Sequence, residues 1–442
     1  MKTNTQYKAG GVLVLVMVMV LVVGGLGAGL MQLSTGTGVE VSSAVNDAYA
    51  FWAADAGIER IRTIGQTKRK RFSVIPNPTG TGVLLGSNKL SGTTLQGSYN
   101  VTVLDDPSWD NSAHTLQKYI ITSVGTSTGG RTRTITSRAM LLNYAGYMHA
   151  SHSENGVNFV TGDTIVGPVY TDDQLHIIGP SGPVFSNLVS SGASTVDYNG
   201  WTPTNSQINA MFPGGLTLNA APLDIQGQFG DHITDIQTES QSGGLDLEGA
   251  AAGDYNFTFF NTNSIGKFVY QKRPSGTLVT NTLSALNGTI YVDGNVYVKG
   301  TVNGKVTLAS RHAINIVSNI VYESASGANP APWTAGFNST NVNDMMGLMA
   351  VDSVNVQGAN SINIHASIMI TAGGFNADNW DQDIGGDTIY LFGGMSQYSR
   401  GKVGQNTTPF HGFHKNYKFD ERFASDAPPS FPPSIYQFSA WQ

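Results

Sequence analysis

The sequence predicts a mostly β protein carried on a long N-terminal α-helix. Three observations predict this fold class. One uninterrupted apolar run lies near the N-terminus. The chain has 442 residues, 53 of them glycine, and only 12% are charged, which suits short strands and turns better than solvated helices. In its C-terminal part, short apolar pairs recur with a period of two residues.

The apolar run is long enough to cross a bilayer as a helix. About 20 residues at about 1.5 Å each span a hydrocarbon core of about 30 Å. Residues 12–64 are predicted to form one long helix, with breaks expected at the glycines of 24–27 and 36–38. The predicted membrane anchor is Val12, Leu13, Val14, Leu15, Val16, Met17, Val18, Met19, Val20, Leu21, Val22 and Val23.

Charges on either side of the anchor predict its orientation. Lys2 and Lys8 precede the apolar run, whereas Glu40 and Asp47 are the first charged residues after it. Because cationic flanks stay in the cytoplasm, we expect the N-terminus inside and the remainder exported.

The net charge of −6 gives no electrostatic field that would attract nucleic acid. The absence of cysteine excludes disulfides and thiolate metal sites.

A short polar leader, residues 1–11, ends in Gly10 and Gly11, and the helix later carries Ala50-Phe-Trp-Ala-Ala-Asp-Ala-Gly-Ile-Glu59. With the apolar run between them, these features resemble the N-terminal signature of PilX-like minor pilins of type IV pili. The resemblance implies that a prepilin peptidase cuts after Gly10 or Gly11. It also implies that the helix holds the subunit in the bacterial inner membrane before the pilus assembly machinery packs it among other pilin-like subunits.

The sequence departs from the major-pilin pattern at one position. Residue five after the cut would be Leu15 or Val16, where a major pilin has glutamate. A carboxylate in an apolar filament core needs a partner charge, so its absence disfavours a bulk repeating pilin. A tip, initiating or sparse subunit stays open, as does a membrane-anchored protein that never polymerises. The alternative is an ordinary signal anchor followed by a stalk.

Residues 76–145 are predicted to form a small antiparallel β-sheet. Three stretches, 98–104, 118–124 and 131–137, alternate or are rich in β-branched residues and are separated by turn residues. A sheet of this size needs an apolar partner, and the C-terminal half of the long helix is available nearby. The result would be the helix-on-sheet plan of a pilin head.

Residues 146–442 are predicted to form a right-handed parallel β-helix, a β-solenoid. Short pairs such as Ile290 with Val292 and Ile314 with Ile316 are joined by turns of small residues, which favours stacked coils. An insertion is expected near 191–280, and a C-terminal cap near 410–442, where Tyr417, Phe419, Phe431 and Trp441 would cover an open end. Gly162-Asp163 with Gly167-Pro-Val169, the region 288–370, and the tail segments 412–422 and 428–433 are similar to an uncharacterised β-helical domain that follows PilX-like N-termini in bacteria.

Acidic residues in the body are candidates for chemistry. Asp381 and Asp383 alternate, as a general acid and base or a pair of cation ligands would, and Asp172 adjoins Asp173. Nothing in the sequence places a second catalytic group beside either pair, so no enzyme activity is predicted. The one cofactor considered is calcium, which prefers oxygen ligands, and a polar turn is the alternative for this segment. The calcium candidates are Asp378, Asp381, Asp383 and Asp387.

The sequence therefore predicts a structural and assembly protein. It would be a minor-pilin-like subunit of a type IV pilus or related secretion filament, displaying a β-solenoid at the cell surface for adhesion to a polysaccharide or another cell-surface ligand. The main alternative is an envelope-anchored β-helical carbohydrate-binding or carbohydrate-active enzyme. A non-pilus adhesin on a signal anchor is a third hypothesis.

Overall fold

The computed structural model describes residues 9–179, 181–223, 229–325, 331–358 and 360–440. These residues form mostly strands behind one long N-terminal apolar helix, so the predicted mostly β class and the helix are confirmed. The chain divides into two compact units. The first comprises the described residues of Met1–Trp109, Lys118–Ala139 and Phe438–Gln442, and the second those of Asp110–Gln117 and Met140–Gln437.

The long helix, α1 (Ala9–Lys68), runs without a break through both glycine patches. The breaks expected there are not observed, and a Cβ on any of these glycines would meet nothing within 4 Å. The Thr37 hydroxyl donates a hydrogen bond to the Leu33 carbonyl at 3.0 Å, so this polar side chain has its hydrogen-bond partner within the helix. The helix ends because Arg69 takes the left-handed conformation (φ 47°) and its N–H donates to the Gly65 carbonyl.

The first unit also contains an antiparallel sheet. Its strands are β1 (Gly86–Thr94), β2 (Gly97–Asp105), β3 (Gln117–Ser127) and β4 (Thr132–Asn143), in that spatial order. Strand β1 was not predicted, because its sequence GSNKLSGTT has no hydrophobic alternation. Val101 pairs with Ser123 and Val103 with Ile121 in the β2–β3 register, which places these four side chains on one buried face.

The second unit holds the remaining strands and two short helices, α2 (Asn205–Met211) and α3 (Phe229–Gln241). Its strands up to the centre of the chain are β5 (His149–Ser153), β6 (Phe159–Val160), β7 (Thr164–Val166), β8 (Val169–Thr171), β9 (Ile177–Ile178), β10 (Val184–Phe185), β11 (Val189–Ser191), β12 (Leu216–Thr217), β13 (Leu245–Leu247), β14 (Tyr255–Thr262), β15 (Ile265–Lys272) and β16 (Val279–Thr282). The later ones are β17 (Thr289–Val292), β18 (Val296–Val302), β19 (Lys305–Ser310), β20 (Ala313–Tyr322), β21 (Met345–Ala350), β22 (Ser353–Val356), β23 (Ile362–Ile370), β24 (Phe375–Ala377), β25 (Thr388–Ser399), β26 (Gly404–Gln405), β27 (His411–Gly412), β28 (His414–Phe419) and β29 (Pro433–Phe438).

Most of these strands pair in parallel, in three ladders. The first ladder runs β13, β17, β19, β21, β23, β25, β5, β8, β11, β12. The second runs β14, β18, β20, β22, β24. The third joins the later residues of β18 and β20 to the earlier residues of β23 and β25, then β28, β7 and β10.

Hydrophobic residues align in columns along these ladders. In the third ladder Ile320, Ile364, Leu391, Tyr417 and Ile165 follow one another in register, and all five are buried. Burying such a column removes apolar area of every strand from water. Each Å² of buried apolar area stabilises the fold by about 25 cal/mol. The columns form one continuous hydrophobic core in the second unit.

The order of strands in the ladders differs from their order in the sequence. Strand β5 pairs with β25, and β28 lies between β25 and β7. Tyr417 therefore lies within the third ladder, paired with Leu391 on one side and Ile165 on the other, and Phe419 pairs with Gly393, where the sequence suggested a terminal cover. Trp441 lies outside the described residues. Residues 191–280, expected to be an insertion, include β13 and β14, which pair in the ladders, and the antiparallel hairpin of β14 and β15.

Candidate functional site

The predicted membrane anchor is the most exposed apolar segment in the described residues. The side chains from Leu15 to Val23 have exposed fractions between 51% and 73%. A window of 18 residues in Leu15–Lys68 has a mean hydropathy of 2.1 and none of it is buried. Apolar surface of this extent is unfavourable in water and marks a membrane or a protein partner. This helix is long and apolar enough to span a membrane.

The predicted processing site lies in the first turns of the same helix. The backbones of Gly10 and Gly11 are helical and lead directly into the anchor. The side chains of Val12, Leu13 and Val14 lie outside the described set. The processing site remains a prediction from the sequence.

The C-terminal half of α1 is buried against the sheet of the first unit. Ala50, Ala53 and Ala54 have no exposed surface, whereas Trp52 on the opposite side is 61% exposed. The small side chains let the helix backbone approach the sheet. A Cβ added to Gly125 on β3 would overlap the Ala50 carbonyl oxygen and the Ala54 amide nitrogen. Helix and sheet are therefore in direct backbone contact at this point.

Polar contacts flank this packing surface. Arg133 on β4 donates to the Asp47 carboxylate at 2.8 Å, and Arg131 donates to the Ser43 hydroxyl at 2.6 Å. Both arginines are exposed, so each contact contributes at most about 1 kcal/mol. The close packing of alanines and glycine, more than these pairs, holds α1 on the sheet.

The four acidic residues proposed for calcium do not converge. The Asp387 carboxylate accepts the Ser361 hydroxyl at 2.7 Å and the Asp383 carboxylate accepts the Gly385 N–H at 3.2 Å, while Asp378 and Asp381 are exposed. Within the described ranges, no three acidic or histidine residues are grouped as metal ligands. The calcium site stays a prediction from the sequence.

The other acidic pair links neighbouring strands. Asp172 accepts the Tyr170 hydroxyl at 2.7 Å and lies 3.2 Å from His152 Nδ1. Asp173 accepts the Ser153 hydroxyl at 3.0 Å and the Glu154 N–H at 3.0 Å. Both carboxylates have hydrogen-bond partners where β5 and β8 end. This arrangement supports a structural role for Asp172 and Asp173.

Sequence reasoning missed a group of buried charges. Arg400 Nη1 donates to Glu154 at 2.7 Å, and Lys415 Nζ donates to Asp163 at 2.7 Å. Burial opposes ionisation of Glu154, but Arg400 and His149 outweigh it and hold its pKa below the ordinary value. The cavity beside them has a volume of about 10 Å³, which leaves room for no ligand larger than a water. In a chain with so few charges, isolated charged residues in or next to short strands were the available signal.

Outward-facing amides follow the second ladder. The Asn355 Nδ2 donates to Asn315 Oδ1 at 3.3 Å, and Asn376 Nδ2 donates to Asn355 Oδ1 at 3.4 Å. At the β14 end of this face lies an open pocket of about 330 Å³, which includes Tyr297 and Lys299. These outer faces carry the polar surface available for contact with a ligand.

Comparisons with known proteins found no matching family model, no matching curated protein and no matching solved structure.

Proposed function

We propose that this chain is a minor-pilin-like structural subunit of a type IV pilus or related secretion filament. The observation that carries the proposal is the change of environment along one unbroken helix. The exposed anchor of α1 continues into a half that is buried on an antiparallel sheet through Ala50, Ala54 and Gly125. A helix built in this way can leave a membrane and pack laterally among similar helices while its sheet stays folded.

The second unit would be the displayed part. The three parallel ladders, with buried columns in register, support a right-handed parallel β-helix as its architecture. Turns between the ladders contain glycines with positive φ, such as Gly304 at 129°, which suits the sharp corners of a β-solenoid. A rigid body of this kind presents a long surface at low conformational cost. Its role would be contact with a polymer, a neighbouring subunit or another cell.

The proposed location follows from the anchor and its flanking charges. The N-terminus would stay in the cytoplasm, α1 would cross the bacterial inner membrane, and the body would be exported. Assembly into a filament would require the pilus machinery and other pilin-like subunits. An envelope-anchored carbohydrate-binding protein is the second candidate, and the pocket beside Tyr297 and Lys299 favours it.

Leader removal tests the proposed function. The full chain is expressed in a host with a prepilin peptidase, and its N-terminus is determined by mass spectrometry. We expect cleavage after Gly10 or Gly11, and retention of the leader in the Gly10→Val, Gly11→Val double variant. The matched control, Gly24→Val with Gly25→Val, alters the same helix away from the cut and should be processed normally. Unchanged processing of the first variant, or absence of the protein from sheared filaments, would overturn the proposal.

A further inference from the structure

A pocket of about 330 Å³ opens on the outer surface of the second unit. It forms because β14 pairs with β15 on one side and β18 on the other. Asn256 is opposite both Gln271 and Tyr297, and Thr258 is opposite Lys299. Alternate residues of a strand face the same way, so three strands contribute polar side chains to one floor.

One cationic side chain, Lys299, lines this pocket, and a second, Arg273, contacts two of its lining residues. The Arg273 guanidinium lies 3.8 Å from the centre of the Tyr297 ring and donates to Asn256 Oδ1 at 3.1 Å, and these two contacts fix its orientation beside the pocket. Lys299 lines the pocket and is exposed. Neither cation forms an ion pair with another residue that the structure describes. Both are therefore available to an anionic ligand.

The charge around the pocket differs from that of the whole chain. The protein carries a net charge of −6, yet in residues 254–311 Asp254 and Asp293 are the two acidic residues. The same segment holds six cationic residues: Lys267, Lys272, Arg273, Lys299, Lys305 and Arg311. This local excess raises the concentration of anions near the pocket and favours their binding.

The remaining side chains that line the pocket suit a sugar as the ligand. The Thr258 hydroxyl and the side-chain amide of Gln271 offer hydrogen-bond donors and acceptors of the kind that ring hydroxyls need. Leu278, 64% exposed, supplies an apolar contact for the C–H face of a ring. The volume is near the lower limit of ligand pockets, about 300 Å³, which suits a short segment of a polymer.

We propose that this pocket binds a carboxylated sugar unit of an acidic polysaccharide. Lys299 and the oriented Arg273 hold the carboxylate, and Thr258 and Gln271 contact the hydroxyls. A single-stranded nucleic acid fits less well, because binding of that kind uses aromatic faces for base stacking and Arg273 covers one face of Tyr297. The proposal adds a ligand class to the displayed body and rests on the proposed function only for exposure outside the cell.

The test uses the purified full chain in detergent micelles and isothermal titration calorimetry. The probes are defined oligomers of galacturonate and of alginate. We expect saturable binding of at least one uronate oligomer that weakens as salt rises. We expect Lys299→Gln to weaken it about tenfold, the effect of losing one charge-assisted hydrogen bond. Lys305→Gln removes an equal charge outside the pocket and should change affinity less than about twofold.

Three further probes make the result specific: a neutral maltohexaose, polyglutamate and an oligothymidylate. Circular dichroism and the melting temperature verify that each variant is folded. Equal binding of polyglutamate or oligothymidylate, equal losses in the two lysine variants, or no binding of either uronate oligomer would overturn the ligand assignment. Because binding in micelles needs neither leader removal nor a filament, a failure here is distinguishable from a failure of the proposed function.

Discussion

Arg400 Nη1 donates to Glu154 Oε2 at 2.7 Å, although the two residues are 246 positions apart. Arg400 directly follows β25 and Glu154 directly follows β5, the two strands that pair where the ladder order departs from the sequence order. Both side chains are almost completely buried. The Arg400 guanidinium also lies 3.5 Å from the centre of the Phe159 ring. This ion pair joins the early strands of the second unit to its late strands.

Removing one partner of this ion pair should destabilise the protein strongly. Arg400→Met leaves the Glu154 carboxylate buried without its main counter-charge, and such losses cost roughly 3–5 kcal/mol in the free energy of unfolding. The measurement is urea unfolding of the purified full chain. The matched control is Arg311→Met, whose guanidinium is exposed and lies 4.0 Å from Asp293, so we expect a change within about 0.5 kcal/mol. Adding Glu154→Gln to Arg400→Met should restore part of the stability, and equal losses in the two arginine variants would contradict this account.

His365 should make the protein less stable in acid. Its side chain is buried and its Nδ1 accepts the Tyr322 N–H at 3.0 Å, and burial, with a smaller effect of Arg422, lowers its pKa to about 3. The unfolded chain binds this proton below a pKa of about 6.5 and the folded chain does not, so stability falls as pH drops from about 6.5 towards 3.

The slope from His365 alone is about 1.4 kcal/mol per pH unit in that window. Glu154 contributes in the same direction, because its lowered pKa gives stability that is lost as pH falls below the unfolded value. His365→Gln should flatten the pH dependence of urea unfolding, and His312→Gln, at an exposed histidine, is the matched control. A wild-type slope in His365→Gln would rule out this histidine as the cause.

A side chain at Gly125 should separate α1 from its sheet. In Gly125→Val the new Cβ overlaps backbone atoms of Ala50 and Ala54, which cannot rotate away as a side chain can. Overpacking of this kind costs typically 1–3 kcal/mol. We expect faster amide hydrogen exchange in β2 and β3, with the second unit unaffected. Gly38→Ala, where a Cβ meets nothing within 4 Å, should leave exchange unchanged or slow it, and matching effects in both variants would be inconsistent with the contact.

A charge in the anchor should release the protein from membranes. Val20 is 66% exposed in the middle of the apolar run, and an arginine at the centre of a spanning helix costs about 2.5–3.5 kcal/mol. We therefore expect Val20→Arg to lower the fraction of protein that resists extraction with alkaline carbonate. Leu95→Arg adds the same charge at a turn residue that is 94% exposed and should extract like the wild type. Full retention of Val20→Arg would argue against a spanning role.

The helix and the local strands could be predicted because their signals are local. The anchor from Val12 to Val23 is apolar at every position, and pairs such as Ile314 and Ile316 alternate as one buried face of a strand requires. Strand β1 was missed because Leu90 is its only large apolar residue. The glycine patches of α1 were expected to break the helix, but their propensity cost was outweighed by the continuous hydrogen bonding of a 60-residue helix.

The sequence by itself determined that an apolar helix precedes a body of short strands, because transfer free energy and periodicity are properties of neighbouring residues. Only the tertiary structure decided which strands pair, that β28 lies between β25 and β7, and that Glu154 meets Arg400. Many short strands of similar composition can pair in many orders with similar local energy. The order is selected by contacts between distant segments, such as one buried ion pair and the columns of buried side chains, and these leave no periodic signal in the chain.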